Sequence, residues 1–268
     1  MSVEKVAVRD FWDSAACGET LYLASPTCAN YARQSAVRYR LEPYIADFAE
    51  FERWRSRCVL EIGVGLGADH QRFAAAGASL YGTDLTRRAV DHTRRRLDQL
   101  GLTSRLLLGD AEALPFPDGT FDLIYAWGVF HHSPDTPRAF DEAARVLRPG
   151  GCARIMIYHR DSLVGWMLWL RYALLAGKPW RSLTDIYARH LESPGTKAYT
   201  LAEVAVLCRG FSAHSVRTVL THGDLLESAA GQRHRGSLLT LARALWPRPL
   251  IHRFLSDRGL FLLISAIK

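Results

Sequence analysis

The stretch Val59-Leu60-Glu61-Ile62-Gly63-Val64-Gly65-Leu66-Gly67 decides the fold of this chain. A short apolar run leads into three alternating glycines, and the alanine-rich segment 68–78 follows. This order predicts a buried strand, a tight turn and a helix. Glycine lets such a turn adopt positive φ and lets a ligand approach the backbone, because no Cβ is in the way. The stretch therefore predicts the first unit of a nucleotide-binding α/β domain.

The glycine pattern alone fits two kinds of ligand, because it also satisfies the G-x-G-x-x-G/A pattern of NAD enzymes. Glu61 lies two residues before the first glycine, where strands that bind dinucleotides are apolar. Asp84 ends the next apolar run, at the spacing where a carboxylate accepts hydrogen bonds from ribose hydroxyls. Asp110 follows a third strand, where an adenine would lie. Glu61 and Asp110 therefore disfavour NAD.

Three downstream motifs complete a resemblance to a known family. They are Leu114-Pro115-Phe116-Pro117-Asp118-Gly119-Thr120-Phe121-Asp122-Leu123-Ile124, Gly128-Val129-Phe130-His131-His132 and Val146-Leu147-Arg148-Pro149-Gly150-Gly151. With the residues above, they resemble the class I S-adenosylmethionine-dependent methyltransferases, in the branch of the ubiquinone and menaquinone C-methyltransferases. The resemblance covers residues 58–160 and implies a Rossmann-like methyltransferase fold of class α/β. We therefore expect a seven-stranded, mostly parallel sheet with helices on both faces.

The apolar pattern predicts where these elements lie. We expect strands at 58–62, 79–84, 105–108, 121–126 and 152–158, and helices near 68–76, 86–100 and 137–147. A capping box at Thr200–Glu203 predicts a helix that runs to about Arg209. A sixth strand at 211–221 and an antiparallel strand at 259–268 then close the sheet.

The domain organisation follows from where this pattern is interrupted. Residues 1–57 are expected to form an N-terminal helical cap, and residues 58–268 the methyltransferase domain. Insertions follow strand 5 at about 161–199 and strand 6 at about 223–258. The second insertion is rich in arginine, and its segment 238–246 has an amphipathic pattern.

The resemblance implies S-adenosylmethionine as cofactor and assigns residues to it. The glycine backbone would approach its methionine and ribose portions, and the Asp84 carboxylate would bind the ribose hydroxyls. Asp110 and Ala111 would meet the adenine, with a helix N-cap as the alternative role of Asp110. Glu61 would lie near the amino or sulfonium group; its alternative role is to hold the glycine turn through backbone N–H groups. The cofactor set is Glu61, Gly63, Gly65, Gly67, Asp84, Leu85, Asp110, Ala111, Glu112 and Trp127.

Three polar residues at strand ends are candidates for catalysis: His131, Tyr158 and His159. A methyl sulfonium is already a strong electrophile, so the protein mainly aligns the reactants, and a base is needed only for a protonated nucleophile. The alternative is that one residue of the pair His131-His132 only fixes the turn at 133–135. No metal site is predicted, because no carboxylate or cysteine completes a ligand spacing with the histidines.

The segment Leu163–Ala176 is almost wholly apolar, and Arg171 is its one charged residue. It is too short to span a bilayer. Because it follows the fifth strand, we expect a lid over a hydrophobic substrate site. Contact with a second copy of the chain, contact with a membrane surface and a place in the core are the alternatives.

Composition limits the remaining possibilities. The chain has 268 residues, 49% of them apolar, and a net charge of +7. Its five cysteines form no C-x-x-C pair, and no export signal is visible, which predicts a cytoplasmic protein. The five arginines of the helix from Thr86 are expected on a solvated face, because acids interrupt them and no aromatics interleave. No nucleic-acid partner is expected.

These observations predict an S-adenosylmethionine-dependent methyltransferase that acts by in-line displacement on a mostly apolar small molecule. Whether carbon, nitrogen or oxygen accepts the methyl group is left open. The alternatives are an RNA or other macromolecule methyltransferase and a catalytically silent methyltransferase-like binding protein. An NAD-dependent oxidoreductase is disfavoured.

Overall fold

The computed structural model describes residues 2–227 and 243–268, which form one seven-stranded sheet. The strand order is β3-β2-β1-β4-β5-β7-β6, and only β7 runs antiparallel to its neighbours. The prediction of a mostly parallel sheet in a Rossmann-like fold is confirmed. The strands are β1 (Cys58–Ile62), β2 (Ser79–Asp84), β3 (Arg105–Leu108), β4 (Phe121–Trp127), β5 (Leu147–Tyr158), β6 (Ala213–Val219) and β7 (Phe261–Ile267).

The first three strands begin and end where the apolar pattern predicts them. β5 starts five residues earlier than the predicted 152, at Leu147. The reason lies in the glycine pair that follows Pro149: Gly150 donates to the Lys268 carbonyl, and the Lys268 N–H donates to Gly151. The end of the chain thus supplies backbone partners that hold this turn-like sequence in the strand.

Helices cover both faces of the sheet, as predicted. The six that follow β1 up to β6 are α5 (Ala68–Ala75), α6 (Arg87–Asp98), α7 (Thr136–Val146), α8 (Leu163–Trp169), α9 (Leu183–His190) and α10 (Leu201–Leu207). α10 begins with the predicted capping box of Thr200 and Glu203. Before β1 lie α1 (Val3–Ser14), α2 (Glu19–Tyr22), α3 (Cys28–Leu41) and α4 (Tyr44–Ala49), and before β7 lies α11 (Arg248–Phe254).

The core has two layers because β4 is buried on both faces. Ile124 packs in a cluster with α7 and α10, and its neighbour Leu123 packs in a second cluster with α4 and α5. Alternate residues of a strand point to opposite sides of the sheet. The unbroken apolar sequence of β4 therefore serves both layers.

One arginine of α6 departs from the predicted solvated face. Arg96 is buried, and its guanidinium donates to the Leu66 carbonyl in the glycine turn at 2.8 Å. It also donates to Gln34 and to the Tyr31 carbonyl of α3 at 2.9 and 3.0 Å. A buried guanidinium needs several acceptors, and here they tie α3 to the glycine turn.

The segment after β5 forms α8, a π-helical turn at Leu170–Leu174 and α9. In the second insertion, residues 238–242 of the predicted amphipathic segment, with Arg233 and Arg235, lie outside the described residues. Within the described part of the chain, no helix is long and apolar enough to cross a membrane.

Candidate active site

A cavity of about 900 Å³ opens at the carboxyl ends of β1, β2 and β4. In open parallel sheets this edge is where ligands bind. The glycine turn forms one wall, α1 and α3 form a second wall, and α8 with the segment around Arg243 forms a third. Residues from the predicted cofactor region and from both insertions therefore face the same space.

The glycine turn is shaped to admit a ligand at one position. All three glycines have positive φ: +78° at Gly63, +53° at Gly65 and +73° at Gly67. A Cβ on Gly63 would lie 2.2 Å from the Val129 side chain, and one on Gly67 would lie 2.8 Å from Thr93 Oγ1. A Cβ on Gly65 would meet nothing within 4 Å. Gly65 therefore presents bare backbone to the cavity, as a bound polar group requires.

Asp84 lies at the end of β2 and lines the cavity beside Gly65. Its Oδ1 accepts hydrogen bonds from the Thr86 N–H and hydroxyl at 2.9 and 2.8 Å, and its Oδ2 accepts one from the Gly65 N–H at 3.2 Å. Burial raises the pKa of Asp84, while these hydrogen bonds act in the opposite direction. Oδ2 keeps a lone pair for a hydroxyl donor, because a carboxylate oxygen can accept two.

Glu61 also lines the cavity, but its carboxyl group is held by a histidine rather than by the turn. His70 Nδ1 lies 2.9 Å from Glu61 Oε2, and His70 Nε2 lies 2.8 Å from Ser104 Oγ. Because the Ser104 hydroxyl donates its proton to the Leu80 carbonyl, Nε2 must donate to Ser104. Burial lowers the pKa of His70 to about 3 and raises that of Glu61 well above its usual range. The pair is therefore a protonated Glu61 that donates to a neutral His70.

The predicted adenine-binding turn contacts the N-terminal helix. Asp110 Oδ2 accepts a hydrogen bond from Lys5 Nζ of α1 at 2.6 Å, and its Oδ1 accepts one from the Glu112 N–H. No helix begins at Asp110, so it is not an N-cap there. Glu112 also pairs with Lys5 and accepts from the Asp135 N–H at 2.9 Å. Lys5, Asp110 and Ala111 line the cavity. Glu112 is not among the lining residues, and its carboxylate connects its own turn to the loop of Ser133 and Asp135.

A second ion-pair group lies on the opposite side of the glycine turn. Arg38 of α3 donates to both carboxylate oxygens of Asp69 at 3.1 and 2.7 Å, and to Glu42 at 3.2 Å. Tyr39 and Tyr125 also donate to Asp69, both at 2.9 Å. Burial raises the pKa of Glu42 to about 7, although Arg38 acts to lower it. Arg38, Glu42 and Asp69 all line the cavity, so this ion-pair group places charged side chains on its wall.

A polar cluster lies between the glycine turn and the apolar insertion. The Tyr158 hydroxyl donates to Glu192 Oε2 at 2.7 Å, and His132 Nε2 lies 3.3 Å from the same oxygen. On its other edge, His132 Nδ1 lies 2.8 Å from Ser193 Oγ and 3.2 Å from Thr196 Oγ1. The imidazole is thus fixed in orientation by neighbours on both nitrogens. His132, Tyr158 and Glu192 all line the cavity.

Two of the three predicted catalytic residues do not line this cavity. His131 is fully buried behind Tyr158, with ring centroids 3.9 Å apart, and neither of its ring nitrogens has a hydrogen-bond partner among the described residues. His159 is buried as well, and its Nδ1 lies 3.1 Å from the Gly259 carbonyl. Tyr158 is the one predicted catalytic residue that reaches the cavity. The adjacent His132, which the motif also contains, takes the position that was predicted for His131.

The structure supplies a carboxylate that the sequence spacing did not reveal. Ligand atoms of His131, His132 and Glu192 lie within 4.8 Å of one another. The prediction of no metal site relied on local spacing, and Glu192 comes from the insertion after β5. The absence of a metal site stays a prediction.

The apolar half of the cavity comes from α8 and the π-helical turn. Met167, Leu168, Leu170 and Leu175 line it, together with Phe261 of β7. Trp127, which was predicted for the cofactor, lines the same space, with its ring near Tyr44 and Phe261 at centroid distances of 6.1 and 5.8 Å. Trp166 and Trp169 of α8 are not among the lining residues, and Trp169 donates to the Arg181 carbonyl at 2.8 Å.

Three side chains of this site are not among the residues predicted from the sequence: Lys5, Arg38 and Glu192. The signal for Lys5 is present in the sequence, because Lys5, Val8 and Trp12 are spaced as one face of a helix, and all three line the cavity. Arg38 has no such signal for its role, because its partner Asp69 lies on another helix. Glu192 had no local signal, because its partners His132 and Tyr158 lie on other elements.

Comparison with known proteins agrees with this geometry. Residues 60–155 match the family described as a methyltransferase domain. Demethylmenaquinone methyltransferase of Thermus thermophilus is 36% identical over 129 residues, which are 43% of this chain and 59% of that protein. 27-O-demethylrifamycin SV methyltransferase of Amycolatopsis mediterranei is 35% identical over 96 residues, which are 35% of each chain. The matches thus span between about a third and three fifths of these curated relatives.

A solved structure from Thermotoga maritima extends the likeness to the whole fold. It is described as an S-adenosylmethionine-dependent methyltransferase, possible histamine N-methyltransferase, and superposes with a TM-score of 0.56 at 20% identity. The match covers 97% of this chain and 99% of that one, and at this identity it shows the fold alone. Residues 60–155 therefore match a methyltransferase domain, and the chain has the fold of a solved structure described as an S-adenosylmethionine-dependent methyltransferase; both likenesses imply S-adenosylmethionine as the cofactor.

Proposed function

We propose that this chain transfers a methyl group from S-adenosylmethionine to a mostly apolar small molecule. The observation that carries the proposal is the shared cavity, whose walls include Gly65 and Asp84 at one end and Met167, Leu168 and Leu170 at the other. A cofactor held by the first group and an acceptor held by the second would meet within one enclosed space. Its volume of about 900 Å³ is at the upper end of the range for small-molecule sites.

The residues at the first end fit the cofactor chemically. Gly65 offers open backbone, Asp84 Oδ2 offers an acceptor for a ribose hydroxyl, and the Ala111 backbone lies on the wall beside Asp110. When bound, S-adenosylmethionine would supply a methyl group that is already activated as an electrophile. The protein then has to align the acceptor and exclude water.

The residues at the second end fit an apolar acceptor with one polar group. Aliphatic side chains supply most of the wall, and the cluster of His132, Tyr158 and Glu192 supplies polar atoms at one place. Such a pocket binds a compact ligand by shape and fixes it by one or two hydrogen bonds. The two curated relatives support this class, since their names refer to the small molecules demethylmenaquinone and 27-O-demethylrifamycin SV.

Within this cluster, the pair of His132 and Glu192 is the proton acceptor that the cavity offers to a nucleophile. The Glu192 carboxylate accepts a hydrogen bond from Tyr158, and His132 Nε2 lies 3.3 Å from the same oxygen, so a proton taken up by the pair is shared between an imidazole and a carboxylate. Ser193 and Thr196 hold the imidazole in place while it gains the charge. This arrangement orients a nucleophile and removes its proton without moving a side chain.

A labelling experiment tests the proposal. The purified chain is incubated with methyl-labelled S-adenosylmethionine and separate small-molecule, RNA and protein fractions of a cell extract. We expect label in the organic-extractable small-molecule fraction, and much less of it with the Asp84→Ala variant at a limiting cofactor concentration. Label that enters RNA or protein instead would contradict the acceptor class. Binding of S-adenosylhomocysteine without transfer to any fraction would favour a silent binding protein.

A further inference from the structure

The insertion after β5 exposes an unusual amount of apolar side chain. One side of α8 and the following turn packs inward, where Leu168 and Ala173 contact Ile186 of α9. The other side faces solvent. Leu175 is 68% exposed and Trp180 is 78% exposed, and the other exposed apolar residues are Trp166, Leu170 and Leu174. Exposed apolar residues grouped on one segment mark an interaction site.

The second insertion repeats this pattern next to the same cavity. In α11, Ile251 is buried, whereas Leu250 and Phe254 are exposed, the latter by 67%. Leu170 and Leu175 of the first segment line the cavity, and so do Arg243 and Trp246 of the second. Since Leu170 and Leu175 are both exposed and cavity-lining, they lie at its rim. Both segments, 163–181 and 243–258, therefore reach the cavity, the first through Leu170 and Leu175 and the second through Arg243 and Trp246. The exposed residues of these two segments are here called the rim surface.

The charged residues of these two segments are, with one exception, cations. Residues 163–181 and 243–258 contain seven arginines and lysines and a single acid, Asp257. Arg171, Lys178 and Arg253 are exposed beside the apolar residues. A surface that combines exposed tryptophan and leucine with cations is complementary to a bilayer of anionic lipids, where tryptophan lies at headgroup level and cations meet phosphates.

A second copy of this chain fits the same surface less well. Most homodimers are two-fold symmetric, so a patch at the interface faces its own copy. Such a dimer would bring the exposed cations Arg171, Lys178 and Arg253 of one chain close to the same cations of the other. Like charges placed together at an interface are unfavourable. An anionic lipid surface has the opposite charge and needs no partner residues.

We propose that the rim surface docks this protein on anionic lipid bilayers, with the cavity opening toward the lipid. The apolar residues enter the headgroup region, and the cations remain with the lipid phosphates. An apolar acceptor could then pass from the bilayer to the wall formed by Met167 and Leu168 without crossing water. The docking itself is independent of methyl transfer, so its test does not require the proposed function to hold.

The experiment measures co-sedimentation of the full chain with vesicles. One set of vesicles is phosphatidylcholine, and the other is phosphatidylcholine mixed with phosphatidylglycerol. The first variant replaces two apolar residues of the rim surface, Leu175→Ser with Trp180→Ser. Its matched control is Leu201→Ser with Val206→Ser, two exposed apolar residues of α10. The second variant is Lys178→Glu, and its control is Arg209→Glu, an exposed cation that follows α10.

We expect binding to the anionic vesicles that is at least tenfold tighter than to phosphatidylcholine. Lys178→Glu should weaken it on the order of fivefold or more, because this cation would lie at the lipid surface, whereas Arg209→Glu changes the same charge away from the rim surface and should weaken it less. The Leu175/Trp180 variant should lose binding and keep the parent's melting temperature, while its control binds as the parent does. No binding to anionic vesicles, or equal loss in variant and control, would overturn the proposal. A dimer in solution that the Leu175/Trp180 variant abolishes, without vesicle binding by the parent, would assign the rim surface to a second copy instead.

Discussion

Glu61 Oε2 lies 2.9 Å from His70 Nδ1, and both side chains are buried, with Glu61 at the cavity wall. The chain of hydrogen bonds through Ser104 to the Leu80 carbonyl fixes the proton of His70 on Nε2. Because burial lowers the pKa of His70 to about 3 and raises the pKa of Glu61 well above its usual range, His70 stays neutral and the proton between the two groups belongs to Glu61. A carboxyl group that looks anionic in the sequence is thus a neutral donor in the folded protein.

This pair predicts how stability changes with pH. The reference pKa values of the two groups are 4.5 and 6.5. Between pH 4.5 and pH 6.5, the unfolded chain also holds one proton on this pair, on the histidine. In that range the pair therefore adds no pH dependence to the free energy of unfolding. Above 6.5 the unfolded pair loses that proton while folded Glu61 keeps its own. Stability then falls as pH rises, by up to about 1.4 kcal/mol per pH unit. Below 4.5 the unfolded pair gains a second proton that buried His70 resists, so stability falls again.

Glu61→Gln tests the expected fall in stability above pH 6.5. The glutamine amide can donate to His70 Nδ1 as the protonated acid does, but it cannot ionise. We expect the melting temperature of Glu61→Gln, relative to the parent, to rise as pH increases from 6.5 to about 9. Glu52→Gln, at an exposed carboxylate, should run parallel to the parent. A Glu61→Gln curve that also runs parallel would show that Glu61 is ionised in the folded protein.

We expect the Asp84 carboxylate to contribute to the affinity for the nucleoside part of the cofactor. Removal of its carboxylate by Asp84→Ala should lower the affinity for S-adenosylhomocysteine about ten- to a hundredfold, since a hydrogen bond to a charged group contributes on the order of 1.5–3 kcal/mol. Titration calorimetry measures this loss. Asp98→Ala, at the exposed end of α6, is the matched control and should bind as the parent does. Unchanged affinity of Asp84→Ala would remove the carboxylate from the cofactor site.

His132 and His131 should differ in their effect on the reaction, although they are neighbours. His132→Asn and Glu192→Gln remove parts of the cluster that faces the cavity, and we expect each to slow methyl transfer by roughly 10²–10⁴-fold with cofactor affinity retained. His131→Asn lies behind Tyr158 and should slow transfer by much less. Single-turnover rates at saturating cofactor make the comparison. A larger loss for His131→Asn than for His132→Asn would restore the assignment made from the sequence motif.

The wall formed by α8 predicts an effect on the acceptor alone. Met167→Ala enlarges the apolar half of the cavity, so the KM for the acceptor should rise while the affinity for S-adenosylhomocysteine stays the same. Trp166→Ala, on the outer side of the same helix, is the control and should leave the KM unchanged. Equal losses of acceptor and cofactor binding in Met167→Ala would indicate a general disturbance of the fold.

Periodicity and glycine spacing were sufficient to predict the first three strands, because each is a short, largely apolar run bounded by turn residues, and β1 is also buried on both faces. β1, β2 and β3 begin and end at the predicted residues. The early start of β5 was not predictable, because Gly150 and Gly151 are held there by Lys268 from the other end of the chain.

The polar part of the site also depends on tertiary contacts that local sequence does not reveal. The Gly128–His132 motif indicated a histidine near the cavity, but which of two adjacent residues faces it depends on the 3-10 turn at Phe130–His132. Glu192 could not be paired with His132 from sequence, because tertiary packing of the insertion brings them together. Arg96 is the opposite case, since a residue typical of a solvated face is buried by acceptors from α3 and the glycine turn.

Calorimetry of the parent chain with S-adenosylhomocysteine and with NAD tests the central claim most directly. We predict saturable binding of S-adenosylhomocysteine at one site per chain and no detectable heat with NAD. Tighter binding of NAD, or no saturable binding of S-adenosylhomocysteine, would contradict the assignment of Gly65, Asp84 and Asp110 to an S-adenosylmethionine site.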